Sequence, residues 1–195
     1  MPHATLRHNI DAAGAMSGVT LVRALEKVHL WGHFSAHQQR HCASPTHTED
    51  GVDDEGQHPV SPEVILDHRL SSLPVLSGGQ TQLFTLARAL VRREAMAAER
   101  PYEDSEENDG RGTPKPVLLL DEATSSLDPA TEEIMHNVID EEFVQRGHTV
   151  VLVTHRPDML VGKMRRGRDA FVWMKDGTIE RVVDAEEVLG QERCT

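Results

Sequence analysis

Three short stretches of this 195-residue chain carry residue types and spacings that can do chemistry. Ser77-Gly78-Gly79-Gln80 stands directly before an amphipathic run, "TQLFTLARALVRR", with apolar residues at Leu83, Leu86-Ala87 and Leu90-Val91. Small residues at the mouth of a helix leave backbone N–H groups open to an anion, and the helix dipole favours negative charge there. Asp121-Glu122 ends the apolar run "VLLL", which reads as a short strand buried on both faces. An acid at the C-terminal edge of such a strand lies where open α/β sheets place their ligands and can hold Mg²⁺, usually through water. A second acid beside it can position or activate a water. His155 ends a second apolar run, "HTVVLVTH", and can contact a terminal phosphate or steady an attacking water. Each feature alone has a plain alternative: a surface turn with two acids, or a histidine capping a strand.

The elements that must position these residues are legible around them. "SGVTLVRALEKVHLWGHF" (17–34) has helical spacing at Leu21, Leu25, Val28 and Leu30-Trp31, with Ser17 as N-cap. "EVILDHRLSSLP" (63–74) precedes the Ser-Gly-Gly-Gln helix, which the pattern carries from about Gly78 to Arg93. "LDPATEEIMHNVIDEEF" (127–143) is a marked helix with Asp128 as N-cap, Pro129 at the first position and acids in the first turns. Its buried face is expected to hold Ile134, Met135, Val138 and Ile139. Strand 117–121, this helix and strand 148–155 form the crossover unit of a parallel sheet. "DAFVWMKDGTIERVV" (169–183) is a hairpin turning at Asp176-Gly177, and Asp184 with Glu187 makes a capping box for a last short helix.

Two segments lose this order. Residues 35–62 are rich in His, Asp, Glu, Gly and Pro, and 97–116 are acidic with Pro and Gly. Both read as disordered insertions. His33, His37, His41, Cys42 and His47 raise a metal reading, but their spacing matches no zinc template, and a biased loop collects histidines readily.

Composition sets outer bounds. A net charge of −12 argues against a surface that coats nucleic acid, while leaving room for a local anion site made of backbone N–H groups. Two cysteines, Cys42 and Cys194, make no disulfide framework and fit a reducing, intracellular setting. The first residues have no apolar core of a secretory signal, and no run reaches the roughly 18–20 apolar residues of a membrane span. Aromatic residues are 4%, so the core must rest on Leu, Val, Ile and Ala.

Taken in order, the parts resemble the nucleotide-binding domain of ABC transporters. "LSGGQ" (76–80) is similar to the family's signature motif, "VLLLDEATSSLD" (117–128) to its Walker B strand, catalytic Glu and D-loop, and "VTHRP" (153–157) to its switch-histidine loop. "LVRALEKVHLWGHF" resembles the helical subdomain of exporters. "RGRDAFVWMKDGTIERV" resembles the closing strands of the multidrug-resistance-like subfamily C, particularly its fungal members, and "TLRHNIDAAGAMS" (5–17) the segment after that subfamily's Q-loop. The resemblance implies a P-loop NTPase-like α/β fold: a mostly parallel sheet core, a helical subdomain and a C-terminal hairpin. It divides the chain into a helical subdomain with the signature motif (17–93, interrupted by 35–62), the insertion 97–116, and a Walker B, D-loop and switch-histidine portion (117–195).

The resemblance further implies ATP and Mg²⁺ as cofactors and export across a membrane as the coupled work. Glu122 and His155 would be catalytic, Asp121 would hold the metal, and Ser77, Gly78, Gly79, Gln80 and Asp128 would bind nucleotide. The partners implied are a second nucleotide-binding domain, stacked head to tail, and the transmembrane domains of a transporter, with the chain at the cytoplasmic face of a membrane. In that arrangement Ser77, Gly78 and Gly79 face the γ-phosphate of ATP held by the partner. No G-x-x-x-x-G-K-[ST] occurs in the sequence, since Gly162-Lys163 runs into Met164, and no Q-loop Gln stands in place. The chain is therefore expected to be the C-terminal two-thirds of a domain, inactive alone. Two other readings stand beside this one. A half-domain could lend only its signature surface to a partner ATPase. A chromosome or DNA-repair ATPase also combines these motifs, but needs long heptad helices that the sequence lacks.

Overall fold

The computed structural model describes residues 3–41, 61–99, 115–125, 127–156, 160, 162–185 and 187, the side chains of 37–41 excepted. The chain divides into two compact units, 1–152 and 153–195.

The first unit is mainly helical. Its elements are α1 (Leu6–Ile10), α2 (Gly18–Lys27), α3 (Trp31–His41), α4 (Pro62–Leu66), a 3-10 turn (Leu70–Ser72), α5 (Gly78–Ala98), β1 (Leu118–Asp121), α6 (Pro129–Ile139), a π-helical turn (Asp140–Val144) and β2 (Val150–Val153). The N-terminal segment is clasped to α4. Leu6 N–H donates to His68 O at 2.8 Å and Leu70 N–H to Ala4 O at 3.0 Å, while Arg7 pairs with Asp67 and Glu63.

The single helix expected over 17–34 is two. Ser17 caps the first as expected, its side chain accepting from Thr20 N–H. The break falls at His29, whose φ of 58° is left-handed. His29 N–H donates to Glu26 O at 2.9 Å and Leu30 N–H to Leu25 O at 2.8 Å. These are the two bonds of a Schellman stop, with buried Leu25 and Leu30 as its apolar clasp. The stop is hard to see in sequence because a His stands where Gly is usual.

The core of this unit packs Leu6, Leu21, Leu25, Leu30, Phe34 and Leu66 against one side of α5, where Leu83, Leu86, Ala87, Leu90 and Val91 are all buried. Phe34 meets Phe84 edge-on at 6.3 Å. On α6, Met135, Val138 and Ile139 are buried and Ile134 packs at the margin. This aliphatic core is the one a chain poor in aromatics must build.

Two expectations about strands are corrected. The sheets described are two pairs, β1 with β2 and, in the second unit, β3 (Ala170–Lys175) antiparallel to β4 (Thr178–Asp184), rather than one larger parallel core. Nor are β1 and β2 buried on both faces. Leu118 is buried, but Leu119 is 66% exposed and Val151 and Val153 nearly half exposed. Alternate residues of a strand face opposite sides, and the helical core covers only one of them. The hairpin turns at Asp176-Gly177, both with positive φ, as a two-residue turn requires.

The expected insertions 35–62 and 97–116 fall mostly outside the described residues, as do Cys42, His47 and Cys194. Helix does occupy the first residues of each, since α3 runs through His41 and α5 through Ala98. Among the described residues no cluster of three metal-ligating side chains occurs, and no helix is long and apolar enough to cross a membrane.

One buried ion pair locks α5 to the π-helical turn. Glu142 takes Arg93 at 3.0 Å, Lys27 at 2.6 Å and Arg146 at 3.1 Å. Arg93 also donates to the Glu142 carbonyl and lies 5.3 Å from the Phe143 ring centroid. Burial raises the Glu142 carboxyl, but Lys27 and Arg93 outweigh it and hold the group below its ordinary value near 4.5. A carboxyl held low contributes stability above its unfolded pKa and loses it as pH falls through the lower folded one. Glu142→Gln is expected to cost about 1–3 kcal/mol at neutral pH, because it removes the buried carboxylate that Arg93 shares with Lys27 and leaves Arg93 only the half-exposed Glu94. In urea unfolding at a series of pH values, the gap between parent and variant should narrow as pH falls below about 4.5. A gap constant down to about pH 3 would contradict this origin.

Candidate functional site

The first turn of α5 is built by a capping box. Ser77 Oγ accepts from Gln80 N–H at 3.2 Å, and Gln80 Oε1 accepts from Ser77 N–H at 2.9 Å. Four N–H groups open any α-helix without an intrahelical acceptor. The box satisfies two of them, on Ser77 and Gln80, and leaves those of Gly78 and Gly79. The first intrahelical bond of the turn is Thr81 N–H to Ser77 O at 2.9 Å. Gln80 is further held from α3, its amide nitrogen 3.4 Å from His33 Nδ1. The sequence pattern puts His33 at the end of the helical stretch 17–34 with no link to Ser77–Gln80; its place beside Gln80 follows from the Schellman stop that re-aims α3.

The two glycines differ. A Cβ on Gly78 would meet nothing within 4 Å, so this position opens to space. A Cβ on Gly79 would lie 3.1 Å from Thr131 Cγ2 and 3.4 Å from Leu127 Cδ2. Gly79 is therefore the contact by which α5 begins against the start of α6. That start is itself capped: Asp128 accepts from Thr131 N–H at 3.1 Å and from Thr131 Oγ1 at 2.6 Å. These bonds, the hydroxyl first, hold the Asp128 carboxyl below its ordinary value. The signature stretch and Asp128, 48 residues apart by their numbers (128 − 80), thus lie on two neighbouring helix N-termini.

Asp121 ends β1 and is exposed. Glu122 follows with φ of 46°, a left-handed conformation rare outside glycine. The turn that holds it is well bonded, since Glu122 O accepts from Ser125 N–H at 3.2 Å and from Ser125 Oγ at 2.9 Å. Leu127 N–H then donates to Thr124 O at 3.2 Å, with Thr124 and Leu127 both buried. Backbone strain of this kind, about 1–3 kcal/mol, persists only where surroundings enforce it and clusters at functional sites. No sequence pattern announced it. β1 and β2 are hydrogen-bonded neighbours, and the acids and His155 follow the C-terminal ends of the two strands. His155 itself is exposed, in the second unit.

Thr131 cannot swing away from a Cβ on Gly79 without losing its bonds to Asp128. Gly79→Ala is therefore expected to lower stability by about 1–3 kcal/mol. Gly78→Ala, facing open space in a helical turn, should be neutral or stabilise by up to about 1 kcal/mol. Thermal or urea unfolding of the two variants checks this; equal effects would show that Gly79 does not pack as described.

No family model matches the chain. It is 41% identical over 104 residues to "ABC-type transporter braE" of Annulohypoxylon truncatum, covering 53% of this chain and 6% of that protein. It is 26% identical over 189 residues to "Bile pigment transporter 1" of Saccharomyces cerevisiae, covering 96% of this chain and 10% of that one. Among solved structures, "Structure of a bacterial Atm1-family ABC exporter with ATP bound" superposes with a TM-score of 0.56 at 18% identity, over 97% of this chain and 24% of that chain. That likeness shows the fold, of mixed α/β content with small sheets. The chain thus spans about a tenth or less of the length of these curated relatives, both of them transporters.

Proposed function

We propose that this chain is the signature and Walker B portion of the ATP-hydrolysing domain of an ABC-type membrane exporter, of the multidrug-resistance-like subfamily C. The observation that carries the reading is the first turn of α5, where a capping box leaves just the Gly78 and Gly79 N–H groups to an outside acceptor, beside open space. Backbone donors at a helix start suit a phosphate, and they do so within an acidic chain because they carry no titratable charge.

In this reading Ser77, Gly78 and Gly79 bind the γ-phosphate of ATP held by a second nucleotide-binding domain, and Gln80 keeps the turn in shape through the Ser77 N–H. Asp128, on the neighbouring helix start, faces the same partner. Asp121 and Glu122 serve the chain's own side. Mg²⁺ would neutralise charge developing on the phosphates, and Asp121, an exposed carboxylate at a strand end, is the residue fit to hold it. Glu122 orients the attacking water, its backbone fixed by the Ser125 bonds, and His155 contacts the terminal phosphate. The transmembrane domains of the exporter, and a position at the cytoplasmic face of its membrane, complete the proposal.

These 195 residues hold no G-x-x-x-x-G-K-[ST] loop to cradle a nucleotide of their own. The purified chain is expected to show no ATP turnover above background. Turnover that Glu122→Gln abolishes would overturn that part. With a complete nucleotide-binding domain added, association should require ATP and Mg²⁺ and should be lost in Gly78→Asp, which brings a carboxylate to the phosphate seat. Equal association of parent and variant, measured by sedimentation, would sink the signature assignment.

A further inference from the structure

The far end of α5 carries a second feature that the nucleotide reading leaves unused. A cavity of about 250 Å³ opens there, lined by Arg93, Met96, Pro116, Arg146 and His148 among others. Its walls are of two kinds. Met96, Ala97 and Pro116 supply apolar surface, and a smaller space of about 130 Å³ continues it toward Leu118 and Phe143. The polar side carries Arg93, Arg146 and His148, with the Glu94 carboxylate paired to Arg93. Lys115, just outside the lining, donates from Nζ to Arg146 O at 2.8 Å and its charge acts on His148, and the Arg146 side chain is 52% exposed.

Charged groups face His148 from every element around it. From α5 come Arg93 and Glu94, from the π-helical turn Glu142, from the segment before β1 Lys115, and from the turn before β2 Arg146. Glu142 and Glu94 are engaged with Arg93, so three cations stand against two carboxylates. His148 responds to that field. Burial first, and then the charges of Arg93, Lys115 and Arg146, hold its pKa below the ordinary value, against a bond to the Pro116 backbone that acts the other way. Its Nδ1 is buried and has no hydrogen-bond partner among the described residues, an unsatisfied group of the kind a ligand or water completes.

We propose that this cavity binds a small amphiphilic carboxylate: one acidic headgroup between Arg146, Lys115 and His148, carried on a short apolar body that lies along Met96 and Pro116. The volume sits below the usual range for drug-sized ligands, roughly 300–1,000 Å³, so the guest is a short-chain acid rather than a large cofactor. An anion offsets the surplus positive charge and gives His148 Nδ1 a partner once the ring is protonated. Binding and proton uptake by His148 are therefore linked, and affinity rises as pH falls toward the lowered pKa of the free site, below the ordinary value of histidine. The site stands independently of the nucleotide reading. It lies toward the opposite end of α5 from Gly78, about 25 Å away at 1.5 Å per residue.

The test uses the full chain and hexanoate, followed by the imidazole signals of His148 in NMR, with Lys115→Gln and Arg146→Gln variants. Saturable shifts with hexanoate, an upward move of the His148 pKa on binding, and roughly tenfold weaker binding in each variant are expected, the loss of one charge-assisted bond. Circular dichroism confirms that each variant is folded. Because Arg146 also meets Glu142, Lys115→Gln is the variant that decides. Hexan-1-ol producing the same shifts would overturn the anion half of the proposal. Inorganic phosphate binding as tightly as hexanoate would overturn the apolar half, and affinity unchanged in Lys115→Gln would overturn the site.

Discussion

The pairing of Arg93 with Glu142 is the interaction on which the arrangement of the first unit turns. It joins residues 49 apart in sequence, buried on both sides, at the point where α5 passes the π-helical turn. Two charges do not leave water without loss, and a lone pair in a low-dielectric interior often fails to recover it. Here the compensation is spread. Lys27 reaches Glu142 from the end of α2, Arg146 from the next turn, and the Phe143 ring lies beside the guanidinium. Three segments that have no local reason to meet are thereby given one relative position. The π-helical turn is part of the same device, since its extra residue turns Glu142 and Phe143 inward together just after α6 ends.

With its far half fixed, α5 acts as a rod whose first turn can remain open. Its middle is held by Leu83, Leu86, Leu90 and Val91, all buried, and its start is braced by the Gly79 contact with Thr131. The site therefore needs little of its own to hold shape. The capping box and the Asp128 cap are local, each spanning three residues, while the energy that places them side by side comes from the core. A site built this way relies on backbone groups, and substitutions at its two glycines divide cleanly into those that disturb packing and those that block approach.

Much of this was legible in the residues. Ser77-Gly78-Gly79-Gln80 reads as the mouth of a helix, and Asp128-Pro129 marks the start of α6 by residue type. The buried faces of α5 and α6 follow from spacing alone. What escaped has physical causes. The Schellman stop at His29 uses a residue whose type does not advertise left-handed backbone. "VLLL" reads as a strand covered on both sides because four apolar residues report preference, not supply; Leu119 has the preference and stays 66% exposed. The company of His33 is a tertiary fact, since its neighbour Gln80 stands 47 residues away, whereas the strain at Glu122 is held locally by Ser125 and escapes because an acid does not advertise left-handed backbone.

The two adjacent helix N-termini make a final distinction that motif matching alone does not supply. Each carries roughly half a positive charge from its aligned peptide dipoles, so each could in principle attract an anion. At α6 that role is already filled from within, because Asp128 places a carboxylate over the N-terminus and Thr131 binds it twice, through N–H and hydroxyl. At α5 the cap is the neutral Ser77, which closes hydrogen bonds without adding charge. The dipole of α5 is thus left uncompensated while that of α6 is not, although the helices start in contact. In a chain with a net charge of −12, this choice of Ser rather than Asp at the cap leaves the α5 N-terminus without a carboxylate of its own.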